Sequence, residues 1–403
     1  MLRSVTHPSI SEKWRIGLLA PRAHHFYAYE VVDGMRKASL PAGQGLLPVD
    51  LLYQSADEIP RRLEGREMDA LILGLDQARY ELYRDLLPPV PTVNVHPDRL
   101  TPEIPTIAIY AEALARASFE LFRSLGIRSI ASVYAGTTEA QQRVDTHLAE
   151  IVTGENGEFQ RFELETRGIV SNYESHGTLP VLPDFEDWLR NLPHPTGILS
   201  SGGYSAMIVV DSARRAGLDV PGAISVLSRS DDLVCVFSDP PISSFRSVGP
   251  AVGELALTTL VRRLNGETLP RGEIRLPAPS VVERDSTGVP EGIDRTLRSA
   301  VRFIRSRALD GITVDDILSS VPGLSRSRFY RQFEEHFGHT PAREIQRLRI
   351  EDAKFQLRYT RKSLNEIARA CSFKTIAHFS TVFARETGLS PRKWRKIHRL
   401  TEN

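Results

Sequence analysis

The feature that most constrains the fold is an internal repeat in the C-terminal quarter of the chain. At an offset of 50 residues, Phe329, Phe333, Gly338, Thr340 and Pro341 fall on Phe379, Phe383, Gly388, Ser390 and Pro391, while Thr313 and Ile317 fall on Ser363 and Ile367. Each copy reads as a short helix, a turn and a second helix. Thr313-x-x-Asp316 and Ser363-x-x-Glu366 have capping-box spacing, in which a hydroxyl and a carboxylate satisfy free N-terminal amides. Gly338 and Gly388 suit the C-terminal stops. Between the copies, Pro341 to Arg358 carries apolar residues on spaced turns and predicts one joining helix of about 26 Å at 1.5 Å per residue.

The second helix of each copy is amphipathic. Phe329 and Phe333 define an inward stripe, so Ser327, Arg328 and Arg331 project away and Tyr330 lies on the flank. In the second copy Phe379 and Phe383 face inward, and Lys374, Ala377, His378, Thr381 and Arg385 face outward. A helix held by an aromatic face and offering Arg, Lys, Ser, Thr and His on the other can lie in a DNA major groove. A helical bundle with solvated surfaces is the alternative for any single Arg.

Charge separates the chain into two parts. The 403 residues carry 51 Lys+Arg and 50 Asp+Glu, net +1, but residues 291–403 hold 23 against 13, net +10, which leaves −9 for the rest. From 14 to 284, short β-type runs (Trp14–Leu19, Ala70–Leu73, Thr92–Val95, Ser129–Tyr134, Gly197–Leu199, Ile224–Leu227) alternate with helix-length amphipathic segments. That alternation predicts an α/β fold with parallel sheets, two of which fit the length. Arg284 to Gly292, rich in charge, Gly and Pro, predicts a linker.

Several classes are disfavoured. No apolar stretch approaches the roughly 20 residues needed to span a bilayer, and Met1 to Glu12 lacks a signal-peptide pattern, so a cytoplasmic protein without a membrane partner is expected. Cys235 and Cys371 stand apart from any metal-ligand spacing and read as buried thiols. No phosphate loop, nucleophile elbow, zinc-protease or dinucleotide motif occurs. Neither an enzyme nor a metal or cofactor site is expected.

The segment Thr313 to Arg395 resembles the AraC family of transcription regulators. The resemblance rests on Ile367-Ala368-Arg369-Ala370-Cys371-Ser372-Phe373, then His378-Phe379, Phe383 and Gly388-Leu389-Ser390-Pro391-Arg392-Lys393-Trp394-Arg395. It implies two helix-turn-helix units, about 313–337 and 363–387, docking in neighbouring major-groove segments. Carried over by position, Ser327, Tyr330 and Arg331, then Ala377, His378 and Thr381, match the base-reading positions. With Arg326, Arg328, Lys374, Thr375 and Arg385 they form the candidate DNA-binding set. One departure is Ser372, where the family has a turn glycine; a non-Gly residue in a left-handed turn costs on the order of 1 kcal/mol.

The N-terminal part resembles the periplasmic-binding-protein-like sensor of LacI-type regulators, through Pro195 to Leu199, Gly217 to Val226, Pro240 to Phe245 and Val281 to Thr287. The two resemblances together look like the xylose-operon activator subgroup. They imply an α/β two-lobed periplasmic-binding-protein-like sensor (1–285), a linker (286–294) and an all-α DNA-binding domain with two helix-turn-helix units (295–403). The implied protein is a homodimer that binds a double-stranded DNA operator, contacts RNA polymerase as an activator and closes its lobes on a small effector, a sugar such as a pentose. The implied ligand positions are Tyr110, Arg143, Gly203, Ser230 and Asp231, together with His25 and Phe26 after the first strand. Gly202-Gly203 and Ser230 replace polar groups usual in sugar binders, so a sensor that answers a non-sugar signal, or none, stays open. Arg143 and Asp231 equally suit surface charges, and the His25–Phe26 segment equally suits helix-start packing.

Overall fold

The structure, a computed structural model, describes residues 13–21, 25–38, 45–53, 56–135, 138–164, 179–268, 272–288 and 294–398. They fall into two compact units, one built of residues up to 110 with 138–140 and 248–276, the other of the remainder.

The first unit holds a parallel sheet of β1 (Lys13–Leu19), β2 (Gly45–Asp50), β3 (Ala70–Leu73), β4 (Thr92–Asn94), β5 (Thr106–Ile109) and β11 (Glu273–Leu276), in the order β11-β5-β4-β3-β1-β2. Ala70 to Leu73 are wholly buried, as expected of a parallel strand covered on both faces. β2, unforeseen from sequence, contains Pro48 and lies at the sheet edge, where a missing N–H is tolerated. Helices α1 (His25–Lys37) and α9 (Gly249–Leu264) pack with their backbones in close approach. A Cβ on Gly34 would collide with the Pro250 carbonyl, and one on Gly253 with that of Val31. α2 (Ile59–Leu63) and α3 (Gln77–Tyr83) complete this unit.

The second unit carries the sheet β12-β10-β9-β8-β6-β7, parallel except for β12. Its strands are β6 (Ser129–Ala135), β7 (Glu158–Leu164), β8 (Thr196–Ser200), β9 (Ile224–Ser228), β10 (Ser243–Phe245) and β12 (Val281–Val282). Around it lie α4 (Ala111–Ser124), α5 (Glu139–Gly154), α6 (Pro183–Asn191), α7 (Gly203–Arg215) and α8 (Leu233–Phe237). Trp188 packs in this core, stacked 5.7 Å from Phe185.

Seven helices follow: α10 (Arg295–Arg307), α11 (Val314–Ser320), α12 (Arg326–Phe337), α13 (Pro341–Tyr359), α14 (Leu364–Ala370), α15 (Ile376–Thr387) and α16 (Pro391–His398). They enclose two apolar cores, one around Leu297, Ile304, Ile317, Phe329 and Phe333, the other around Leu357, Ile367, Phe379, Phe383 and Trp394. α13 belongs to both, through Ile345 in the first and Ile350 in the second. It is the joining helix that the repeat predicts.

The sheet unit extends beyond the expected boundary at 285. Ser286 and Thr287 are buried, and the Ser286 hydroxyl donates to Val226 O at 2.6 Å while accepting the Ser243 N–H at 2.8 Å. The Ser286 hydroxyl bridges the middle of β9 and the start of β10, so the first residues of the expected linker are part of the sheet unit. Residues 289–293 lie outside the described residues, and Asp294 already caps α10.

Candidate functional site

Both helix-turn-helix units form as the repeat predicts. In α11 the Thr313 N–H donates to Asp316 Oδ2 at 2.7 Å and the Asp316 N–H to Thr313 Oγ1 at 3.4 Å. Hydrogen bonds from Thr313 hold the Asp316 carboxyl below the usual carboxylate range. Ser363 and Glu366 repeat the box on α14, with contacts of 2.7 and 3.2 Å. Ser325 caps α12 and Thr375 caps α15. Gly323, Gly338 and Gly388 take the left-handed backbone that their turns require, at φ 81°, 70° and 72°.

On α12, Phe329 and Phe333 are fully buried and meet edge to face at 5.6 Å. Ser327, Arg328 and Arg331 are exposed and Tyr330 is half-buried. The two flanking arginines have partners: Arg326 pairs with Asp315, and Arg328 Nη2 lies 2.9 Å from Asp294 Oδ2. Gln332 donates to that same carboxylate oxygen at 2.7 Å. Arg331, with 71% of its side chain exposed, lies 3.9 Å from Glu335. Arg326, Ser327 and Tyr330 line a shallow surface depression.

Lys374 and Thr375 just before α15, and Ala377, His378, Thr381 and Arg385 on it, are exposed, whereas Phe379 and Phe383 are buried. Thr375 Oγ1 accepts the His378 N–H at 3.1 Å, so this hydroxyl serves the helix start. Ser372 keeps the left-handed conformation, φ 57°, and its hydroxyl donates to Leu309 O. The structure thus presents two polar, partly cationic helix faces, each held from behind by two phenylalanines.

The expected ligand residues distribute over both units. The side chains of His25 and Phe26 lie outside the described residues. In the first unit Tyr110 follows β5, and its hydroxyl accepts from Arg275 Nη1 at 2.7 Å, with the guanidinium 4.6 Å from the ring centroid. In the second, Gly203 opens α7 and its N–H donates to Asp232 Oδ2 at 3.0 Å, the oxygen that the Ser230 hydroxyl also reaches at 2.6 Å. A Cβ on Gly203 would stand 2.6 Å from Val234 Cγ2, a packing reason for glycine there. Asp231 Oδ1 lies 2.8 Å from Arg284 Nη2 and accepts from Ser244 Oγ at 2.7 Å. Arg143 is half-buried on α5.

A buried polar cluster in the second unit escaped sequence reasoning. Asp145 Oδ1 accepts from Ser132 Oγ at 2.6 Å and Gln141 Nε2 at 2.8 Å, and Arg229 reaches Gln141 Oε1. Burial pushes the Asp145 carboxyl above its ordinary range, against the hydrogen bonds from Ser132 and Gln141. The available signal was Gln141 and Asp145 at i,i+4 among Ala140, Val144 and Leu148, which puts polar groups on an apolar helix face.

Cys235 and Cys371 are buried free thiols. Desolvation pushes Cys235 up to about 12 and raises Cys371 as well, which keeps both protonated and unreactive. Among the described residues, no three His, Cys, Asp or Glu side chains converge on a metal position, and no helix is long and apolar enough to cross a membrane.

Comparisons with known proteins agree with this architecture. A periplasmic binding protein-like domain family matches residues 119–287, and a helix-turn-helix domain family matches 318–397. The xylose operon regulatory protein of Escherichia coli (strain K12) is 30% identical over 213 residues, covering 53% of this chain and 54% of that protein. Its namesake from Haemophilus influenzae is 28% identical over 209 residues, 52% of this chain and 54% of that protein. These matches span about half the length of the curated relatives. A solved structure of a xylose-binding transcription activator, xylR, superposes over 97% of this chain and 100% of its own, with a TM-score of 0.56 and 24% identity. Over about half its length the chain is similar to the xylose operon regulatory proteins, with a periplasmic binding protein-like match ahead of a helix-turn-helix match.

Proposed function

We propose that the protein is a sequence-specific DNA-binding transcription regulator, an activator working with RNA polymerase, whose α/β part binds a small effector. The observation that carries this is the pair of exposed faces on α12 and α15, both fixed to one helix, α13. Ser327, Tyr330 and Arg331, and Ala377, His378 and Thr381, are the base-reading side chains. Arg326, Arg328, Lys374, Thr375 and Arg385 flank them toward the phosphates. The chain acts as a cytoplasmic homodimer without catalysis, and the effector is a sugar, a pentose first of all, in keeping with the names of its relatives. Tyr110, Arg143, Gly203, Ser230 and Asp231 belong to the effector site, together with His25 and Phe26.

A second reading, a sensor answering a non-sugar signal or none, has its own support. Asp231 accepts from Arg284 and Ser244, and Ser230 donates to Asp232, all within their own lobe, and Gly203 offers no side chain. Selection of duplexes from random DNA by the full chain tests the main reading, since an enriched motif with two half-turn elements supports it and a featureless pool removes it. Thermal shift with pentoses and hexoses separates the two effector readings.

A further inference from the structure

The DNA-binding helices are fastened to the second sheet by charge. Glu283, directly after β12, lies 2.8 Å from Arg305 Nη2 of α10 and 3.3 Å from Arg347 Nη2 of α13. Arg246, directly after β10, pairs with Asp352 of α13, and its guanidinium lies 4.8 Å from the Phe355 ring centroid. The Tyr359 hydroxyl, at the end of α13, donates to Pro277 O at 2.7 Å, and Arg302 of α10 lies 2.7 Å from Asp285.

These contacts differ from ordinary surface pairs. The side chains of Arg305, Glu283 and Asp352 are 9%, 17% and 3% exposed, so losing one partner leaves a charge uncompensated away from water. Burial pushes the Glu283 carboxyl up, but Arg305 and Arg347 outweigh it and hold the group below its ordinary range. Because α13 belongs to both helical cores, gripping it positions both helix-turn-helix units at once.

The neighbour of Glu283 reaches the opposite way. Arg284 Nη2 lies 2.8 Å from Asp231, and its Nη1 donates to Ser244 Oγ at 2.7 Å and to Ile242 O at 2.8 Å. Ser244 also donates to Asp231 and lies two residues before Arg246. Asp231 adjoins Ser230 and Asp232, which meet the start of α7 at Gly203, beside the C-terminal ends of β8 and β9. Ligands of α/β sheets are read at such strand ends.

We propose that the second sheet and the DNA-binding domain form one rigid body locked by Glu283 and Arg246, with the loop Ser230–Asp232 connected to that lock through Arg284. The DNA-binding domain then does not swing freely on the sheet, and a change at the strand ends reaches α13 through fixed charged contacts. This deepens the regulator reading and rests on it.

The test uses the full chain with nitroxide labels on Asp184→Cys in α6 and Ser319→Cys in α11, both exposed positions, the native cysteines being buried. With the labelled chain diluted into unlabelled chain, so that a dimer carries at most one labelled protomer, pulsed electron spin resonance is expected to give one narrow distance peak, lost on adding Glu283→Gln. Arg246→Gln serves as an independent variant should Glu283→Gln fail to fold. A broad distribution in the otherwise unchanged chain overturns the rigid body, as does a narrow peak retained in both variants. For the connection, Asp231→Asn is expected to speed amide hydrogen exchange in α13, and unchanged exchange overturns it. Neither measurement contains DNA or sugar, so failure here is distinct from failure of the regulator reading, which appears in the selection experiment.

Discussion

Ser372 donates its hydroxyl to the carbonyl of Leu309 while holding a left-handed backbone at φ 57°. That bond ties the turn of the second helix-turn-helix unit to the segment just before the first. A side chain in this backbone region costs on the order of 1 kcal/mol, and one such hydrogen bond returns about 0.5 to 1.5 kcal/mol. Ser372→Gly, which loses both terms, is expected to leave the urea midpoint nearly unchanged. Ser372→Ala keeps the strain and loses the bond, so it is expected to destabilise by about 1 kcal/mol. Equal midpoints for Ala and Ser would show that the hydroxyl contributes nothing.

Asp294 couples the start of α10 to α12. Its Oδ1 accepts the Thr296 and Leu297 N–H groups at 2.9 Å each, while its Oδ2 receives Gln332 and Arg328. The Leu297 amide foremost, then Gln332 and Arg328, hold the carboxyl at about 2. A depressed folded value means that the stabilisation is complete above the unfolded pKa, about 3.9, and is lost as pH falls toward the folded one. Asp294→Ala is expected to cost about 1 kcal/mol at neutral pH as a lost helix cap. The difference between variant and parent, followed by chemical denaturation, is expected to shrink as pH drops below about 4. A pH-independent difference would assign the effect to packing.

The helical domain was legible because its information is local. The offset of 50 residues, the two capping boxes and the aromatic stripes each fix a helix without reference to distant chain, and all reappear in place. The α/β part was legible only where strands are long or apolar, as at Ala70–Leu73. β2 with Pro48, β10 and β12 are edge or very short pairs whose existence depends on partners far away in sequence. The same reason hid Glu283 and Arg246, which read as unremarkable charges until α10 and α13 are placed beside them. Gly203 stands out in the sequence for the polar group it lacks, whereas its packing against Val234 depends on a residue 31 positions away.

Close packing of α1 on α9 predicts an asymmetric glycine pattern. An added methyl at Gly34 or Gly253 meets backbone carbonyls, which cannot rotate away as a side chain can. Gly253→Ala is therefore expected to destabilise by about 1 to 3 kcal/mol or more, the range for overpacking. Gly154→Ala, where a Cβ meets nothing within 4 Å at the end of α5, is expected to be neutral or to stabilise by up to about 1 kcal/mol. Thermal denaturation of both variants checks the contrast, and equal effects would remove the close approach of α1 and α9 as an explanation.

Arg331 and Arg328 lie three residues apart on α12 and are expected to behave differently on DNA. Arg331 is free to extend from the exposed face, its partner Glu335 being 3.9 Å away on the same helix, whereas Arg328 is tied to Asp294. A guanidinium paired bidentately with guanine contributes about 1 to 3 kcal/mol of discrimination against the wrong base. Arg331→Ala is therefore expected to weaken binding to a selected sequence by that amount and to leave random duplex almost unaffected. Arg328→Ala is expected to act on stability first, through the Asp294 contact. Binding titrations on both DNAs at several salt concentrations separate the cases, because a lost phosphate contact lowers the slope of log affinity against log salt by about 1. Equal losses on selected and random DNA, with that reduced slope, would move Arg331 from reading bases to holding the backbone.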